Sequence, residues 1–110
     1  MKVIELEQNA LKATALLKSM ANERRLMILC HLSEGEKTVG ELEQLIGVSQ
    51  SALSQHLAIL RRERLVGTRR SAQSIFYSLS DGKAAVMMGT LYQLYCADKA
   101  CAPALAGADD

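Results

Sequence analysis

Apolar residues recur at helical spacing over most of the chain, and this pattern predicts helices before any strand. Residues 5 to 20 carry apolar side chains three and four positions apart, as one face of an amphipathic helix does. A second helix is predicted from Asn22, which can cap its start, to about Ser33, and Gly35 ends the segment. These two helices occupy the first third of the chain.

The next two helices are short and are joined by a tight turn. Thr38, with Glu41 three residues later, is a capping box, which marks the start of a third helix, and Gly47 closes that helix. Ser49 can cap a fourth helix over about residues 50 to 63. Two short helices joined by a turn that contains glycine are typical of a helix-turn-helix motif.

The fourth helix has two different sides. At 100° per residue, Leu53, Leu57 and Leu60 cluster on one side. The other side is small, polar and basic at its end, and it carries Ser51, Ser54, Gln55, Ala58, Arg61 and Arg62. A helix that enters the major groove needs hydrogen-bonding side chains near its start and cations further along. We therefore predict that the residues that read base edges are Gln50, Ser51, Ser54 and Gln55.

Two alternatives accompany this reading of the fourth helix. The same pattern also suits a surface helix that has no role in DNA binding. His56 projects close to the leucine side, so a half-buried histidine with a hydrogen-bond partner explains it as well as a DNA contact does.

After the fourth helix the pattern changes to two short strands. Residues 65 to 70 and 74 to 79 predict a hairpin with its turn near Ser71 to Gln73. A hairpin directly after a recognition helix is a wing, and we expect Arg69 and Arg70 to contact the DNA backbone or the minor groove. A last helix is predicted from about Asp81 to about Ala97. The first and last helices carry more apolar surface than one small domain needs, so we expect them to form a homodimer interface.

Composition agrees with one mainly helical domain. The 110 residues include no Trp, one Phe and one Pro, and this length buries a sufficient core without disulfides or metal. We expect a mainly α winged helix-turn-helix of four helices, two strands and a fifth helix, with an ordered core of about 5–97 and a tail over 98–110. No apolar run approaches the roughly 20 residues of a membrane span, and the start lacks a signal peptide's basic region. The expected location is the cytoplasm, with no membrane partner.

The net charge of +1 conceals a basic cluster. Ten positions hold five arginines against one acid, Glu63, and the arginines are Arg61, Arg62, Arg64, Arg69 and Arg70. Alone, such a run suits a solvated surface, but beside a capping box, a polar helix face and a hairpin it predicts phosphate contacts. We assign these contacts to four of them, Arg61, Arg62, Arg69 and Arg70, with double-stranded operator DNA as the partner.

The segment "LKSMANERRLMILCHLSEGEKTVGELEQLIGVSQSALSQHLAILRRERLVGTRR", followed by "SIFYSLSD", resembles the ArsR family of small dimeric winged-helix repressors. The resemblance covers about residues 5 to 97, and "VSQSALSQHLAILRRERLV" is its most specific part. It implies a dimer on a promoter palindrome with half-sites about 34 Å apart, and an inducer that releases the dimer. The hairpin tip departs from the family, which often has glycine there.

The three cysteines lie at scattered positions, as suits a reducing compartment. From the pattern alone, Cys30 in the second helix is explained best as a small core residue. Its placement together with Cys96, near the end of the last helix, resembles the sulfide-responsive branch of the ArsR family, the SqrR, BigR and HlyU type. That resemblance implies that Cys30 and Cys96 are the sensing thiols and that reactive sulfur species are the inducer. Cys101 matches neither position and is interpreted as an incidental thiol.

Other triggers and functions are weighed against this reading. The third helix has no cysteine and no histidine follows His56, so neither familiar metal site of the family can be assembled. We expect no metal and no cofactor, although a general disulfide switch, or a metal at a non-standard cysteine site, remains the alternative trigger. A thiol enzyme lacks support, because the chain has no Cys-x-x-Cys and no base placed beside a cysteine.

Overall fold

The computed structural model describes residues 2–80 and 82–96, which form five helices and a small antiparallel sheet. The elements are α1 (Val3–Met20), α2 (Glu23–Leu32), β1 (Lys37–Thr38), α3 (Val39–Ile46), α4 (Gln50–Arg62), β2 (Val66–Ser71), β3 (Ser74–Leu79) and α5 (Lys83–Tyr95). The predicted mainly α fold with a hairpin wing is therefore confirmed. The predicted ends of the last helix, at Asp81 and Ala97, lie outside the described residues, as does the predicted tail.

The helix starts are set by the caps that the sequence predicts. The side chains of Asn22 and Ser49 each accept a hydrogen bond from the backbone N–H three residues further on, at 3.0 and 3.1 Å. Thr38 and Glu41 form both hydrogen bonds of a capping box at the start of α3. Gly47 ends α3 with a φ of 79°, a left-handed conformation that glycine adopts without strain. These local interactions place α3 and α4 on either side of a tight turn.

The sheet contains one strand more than the pattern predicts. β1 has two residues, and Lys37 pairs with Tyr77 while Thr38 pairs with Phe76, which gives the antiparallel order β1-β3-β2. Two residues are too few for an alternating pattern. The predicted hairpin is confirmed, and its first strand begins one residue later than predicted, at Val66. β1 thus joins the wing to the connection between α2 and α3.

The core lies between α2, α3 and α4 and extends to the start of the wing and to α5. Its largest fully buried side chains are Ile28, Leu29, Leu42, Leu53, Leu57, Leu60 and Leu65. Burying each such side chain contributes about 1.5–3 kcal/mol. Because the three leucines of α4 point into this core, the polar side of α4 faces solvent.

The first and last helices expose much apolar surface. The exposed apolar residues of α1 and α5 include Val3, Ile4, Leu6, Leu11, Leu17, Val86, Tyr92, Leu94 and Tyr95. Leu11, near the middle of α1, is 88% exposed. None of the helices within residues 2–80 and 82–96 is long and apolar enough to cross a membrane.

Candidate functional site

The exposed side of α4 brings the four predicted base-reading residues together. Gln50, Ser51, Ser54 and Gln55 are all exposed in the first half of the helix. Their side chains are short and polar, and they lie next to the backbone N–H groups of the helix start, which favour negatively charged partners. This end of α4 can therefore approach both base edges and phosphates.

Two predicted phosphate ligands lie at the other end of α4. Arg61 and Arg62 are both exposed, and they form the basic last turn of the helix. Arg62 also lines a groove with Leu11 and Lys12 of α1, so it lies on the α1 side of α4. The two arginines thus border the polar side of α4 from different directions.

The two arginines of the wing have different surroundings. The Nε atom of Arg69 donates hydrogen bonds to both carboxylate oxygens of Glu36, at 3.1 and 2.9 Å, and its Nη2 atom donates to Oε1. Its guanidinium also lies over the ring of Phe76, 4.6 Å from the centroid. Arg70 makes no salt bridge with any described residue. Arg69 is therefore already paired, whereas Arg70 is available to an incoming anion.

His56 is a half-buried residue with a hydrogen-bond partner. Its Nδ1 atom lies 3.3 Å from Nη1 of Arg25, whose Nε donates to the carbonyl of Ser19 at 2.6 Å. Burial, together with the charges of Arg25 and Arg24, lowers the pKa of His56. The structural reading of His56 thus agrees with its surroundings, because the residue links α4 to the corner between α1 and α2.

Cys30 and Cys96 line one pocket between α2 and the end of α5. The pocket has a volume of about 230 Å³. Apart from the two cysteines and Ser33, its lining is apolar and consists of Leu26, Met88, Leu91, Tyr92 and Tyr95. Both cysteines are free thiols and both are exposed. The reading of Cys30 as a core residue is therefore wrong, because α5 leaves this part of α2 uncovered.

The environment of Cys30 favours its protonated form. Burial, then the thiol of Cys96 and then the carboxylate of Glu34 raise the pKa of Cys30. The effect of Cys96 means that the two sulfurs are close enough to interact electrostatically. The hydroxyl of Ser33 donates to the carbonyl of Cys30 at 2.6 Å, so this proton is directed to the backbone. A raised pKa makes Cys30 a poorer nucleophile near neutral pH than a free cysteine.

Residues 2–80 and 82–96 contain no group of three or more His, Cys, Asp or Glu side chains that could hold a metal ion. Cys101 lies outside the described residues. The sequence pattern did not indicate Glu36, because its partner Arg69 is 33 positions away. It also did not indicate the pocket walls, although Tyr92 and Cys96 are one helical turn apart.

Comparison with known proteins places this surface and pocket in a family context. The model of the arsR family of bacterial regulatory proteins matches residues 22–68. The transcriptional activator HlyU of Vibrio cholerae is 55% identical over 96 residues, which cover 87% of this chain and 89% of that protein. The structure of reduced HlyU from Vibrio cholerae N16961 has a TM-score of 0.78 at 56% identity, and the match covers 84% of this chain and 97% of that one. The transcriptional repressor BigR from Xylella fastidiosa has a TM-score of 0.78 at 45% identity, covering 88% and 99%.

Proposed function

The chain belongs to the arsR family of bacterial regulatory proteins, and from this membership we propose a repressor that is switched by reactive sulfur species at Cys30 and Cys96. As a family member it is a DNA-binding transcriptional regulator and not an enzyme. The observation that carries the proposed switch is that these two thiols, from α2 and α5, line the same pocket. The protein would act in the cytoplasm, where operator DNA is accessible.

The DNA-binding part of the proposal uses α4 and the wing. The exposed polar side of α4 enters the major groove, where Gln50, Ser51, Ser54 and Gln55 contact base edges. The phosphate ligands flank it and are Arg61, Arg62, Arg69 and Arg70. All are exposed, and cations at the end of a recognition helix and in a wing are placed to follow the backbone on both sides of the groove.

The proposal includes a homodimer formed through α1 and α5. The apolar residues exposed on these helices favour this interface, because contiguous exposed apolar surface commonly marks a contact with another chain. A two-fold axis would then present the two copies of α4 to half-sites about 34 Å apart. The operator would be a palindrome.

The switch would work by linking α2 to α5. A direct disulfide needs Cα atoms within roughly 7 Å, whereas a bridge that contains added sulfur atoms spans a wider gap. This difference would allow persulfide donors to be distinguished from simple oxidants. Because α2 packs against α4 and α5 belongs to the proposed interface, a bridge would change how the dimer holds its two recognition helices.

A second trigger is kept because two thiols in one pocket also suit general oxidation to a disulfide. Hydrogen peroxide would produce that disulfide without added sulfur. A metal would require ligands beyond those that the described residues bring together. Peroxide treatment and a zinc titration, each followed by an operator-binding assay, separate these triggers from polysulfide.

Mass spectrometry of the reduced protein after treatment with inorganic polysulfide tests the proposed switch. We expect the peptides of Cys30 and Cys96 to be joined by a bridge whose mass includes added sulfur. A Cys101→Ser variant is the matched control, because it removes the third thiol and should give the same bridge. Recovery of the two peptides without a link would contradict the proposal.

A further inference from the structure

We infer that the pocket between α2 and α5 selects uncharged, apolar sulfur donors over anionic ones. The S8 ring and dialkyl polysulfides are donors of the selected class, whereas persulfides that carry carboxylates belong to the excluded class. This inference rests on the proposed function, because it names the class of inducer for the same two thiols. It is carried by the chemistry of the pocket walls and by the sign of the nearby charge.

The walls offer no compensation to an anion. Leu26 comes from α2, and Met88 and Leu91 come from α5, and all three are at least partly buried. The rings of Tyr92 and Tyr95 are 55% and 66% exposed and flank the thiols on the open side. None of the residues that line the described pocket carries a permanent charge. An anion would lose water here without gaining a cation, whereas an apolar sulfur chain would gain contact with the walls.

The nearby charge acts in the same direction. The carboxylate of Glu34 is 71% exposed, and it is one of the groups that raise the pKa of Cys30. A field that disfavours a thiolate at Cys30 also disfavours a donor with carboxylates at the same place. An uncharged donor does not experience this repulsion.

The reaction balances with the donor as the only oxidant. The thiolate of one cysteine attacks a donor sulfur, an S–S bond of the donor breaks, and the departing sulfur keeps the electron pair. With S8 the ring opens, and the cysteine then carries a polysulfide chain with an anionic end. The second thiolate attacks a sulfur of this chain, which leaves Cys30 and Cys96 joined through added sulfur and releases a shorter polysulfide dianion. The two thiol protons go to solvent, and the two electrons reduce the donor.

The pocket stays accessible in the proposed dimer. Val86 and Tyr95 are nine positions apart on α5, which places them on opposite sides of the helix at 100° per residue. An interface centred on Val86 therefore leaves the side that bears Tyr92, Tyr95 and Cys96 open to a donor.

A pair of trisulfides that differ only in charge tests the inference. Dipropyl trisulfide and the trisulfide of 3-mercaptopropionate are each reacted with the reduced protein, and each rate is divided by that of the same donor with free cysteine. We expect the neutral donor to form the bridge between Cys30 and Cys96 about tenfold faster on this normalised scale. An S8 dispersion serves as the second neutral source and should form the same bridge.

Two variants of α5 make the test specific to the pocket. Tyr92→Lys places a cation in the wall and should reduce the preference for the neutral trisulfide, whereas Gln93→Lys adds the same charge at an exposed position outside the lining and should leave it unchanged. Equal normalised rates for the two donors, or equal effects of the two variants, would overturn the inference alone. If no donor forms the bridge, the proposed function fails and the inference fails with it.

Discussion

Glu36 and Arg69 form a bidentate ion pair that ties the wing to the connection between α2 and β1. The guanidinium also stacks on Phe76, which is the cross-strand partner of Arg69 in the hairpin. The hydrogen bonds of the pair lower the pKa of Glu36 and raise that of Arg69. Both shifts move away from neutrality, so the pair stays charged near pH 7. A DNA phosphate must therefore compete with Glu36 for Arg69.

Glu36→Gln should tighten binding to DNA of any sequence, because it frees the guanidinium of Arg69 for a phosphate. One additional phosphate contact should also steepen the plot of log K against log salt by about one unit. Fluorescence anisotropy titrations at several salt concentrations measure both quantities.

Glu34→Gln is the matched control for this change. It removes the same charge from the same connection, and Glu34 makes no contact with Arg69. Its salt slope should equal that of the wild type. An unchanged slope or weaker binding in Glu36→Gln would mean that Glu36 holds Arg69 in place and does not compete with DNA.

Substitutions on α4 should separate base reading from phosphate binding. Gln55→Ala should reduce discrimination between operator and mutated operator by about 1–3 kcal/mol at one base position. Arg61→Ala should weaken binding to all sequences alike and lower the salt slope by about one unit. Titrations of both variants against the operator and single-base mutants measure these effects. A loss of specificity in Arg61→Ala, without one in Gln55→Ala, would reverse the assignment.

Leu11→Glu should dissociate the proposed dimer, because Leu11 is 88% exposed at the middle of α1. Placing a carboxylate in an apolar interface should raise the dissociation constant about tenfold or more. Sedimentation velocity over a range of concentrations measures the change. Leu45→Glu is the control, since Leu45 is 48% exposed on α3 and lies outside the proposed interface. If both variants sediment like the wild type, α1 is not part of the interface.

Ala72→Gly should stabilise the protein, because Ala72 at the tip of the wing has a φ of 56°. An L residue in this conformation is strained by roughly 1–2 kcal/mol, and part of the relief is offset by the greater freedom of glycine in the unfolded chain. We expect a gain of about 0.5–1 kcal/mol in urea unfolding. Ala58→Gly, in the exposed interior of α4, should instead cost about 0.5–1 kcal/mol. Changes of the same sign at both positions would contradict this account of the tip.

The sequence predicts well the features that a few neighbouring residues determine. The caps formed by Asn22, Thr38 and Ser49 act over three positions, and each helix start agrees with the structure. The leucine side of α4 follows from helical periodicity and is buried as predicted. Such signals are local, so they are readable without knowledge of the tertiary fold.

Features that depend on distant residues were not predictable in this way. β1 exists because Thr38 pairs with Phe76, and the pair of Glu36 and Arg69 depends on the same approach of the wing. The exposure of Cys30 is set by how much of α2 the packing of α5 covers, which no pattern within α2 reveals. The structure therefore adds the pocket and the paired arginine to what the sequence predicts.

Operator affinity before and after polysulfide treatment tests the central claim most directly, with wild type and Cys30→Ser measured side by side. The account predicts that both reduced proteins bind equally well. Polysulfide should then weaken the wild type within the range of about 5- to 150-fold that is typical of coupled sites, and leave Cys30→Ser unchanged. Cys96→Ser should behave like Cys30→Ser, because either substitution prevents the bridge. An unchanged affinity in the treated wild type, or an equal response in Cys30→Ser, would contradict the proposal that these two thiols control DNA binding.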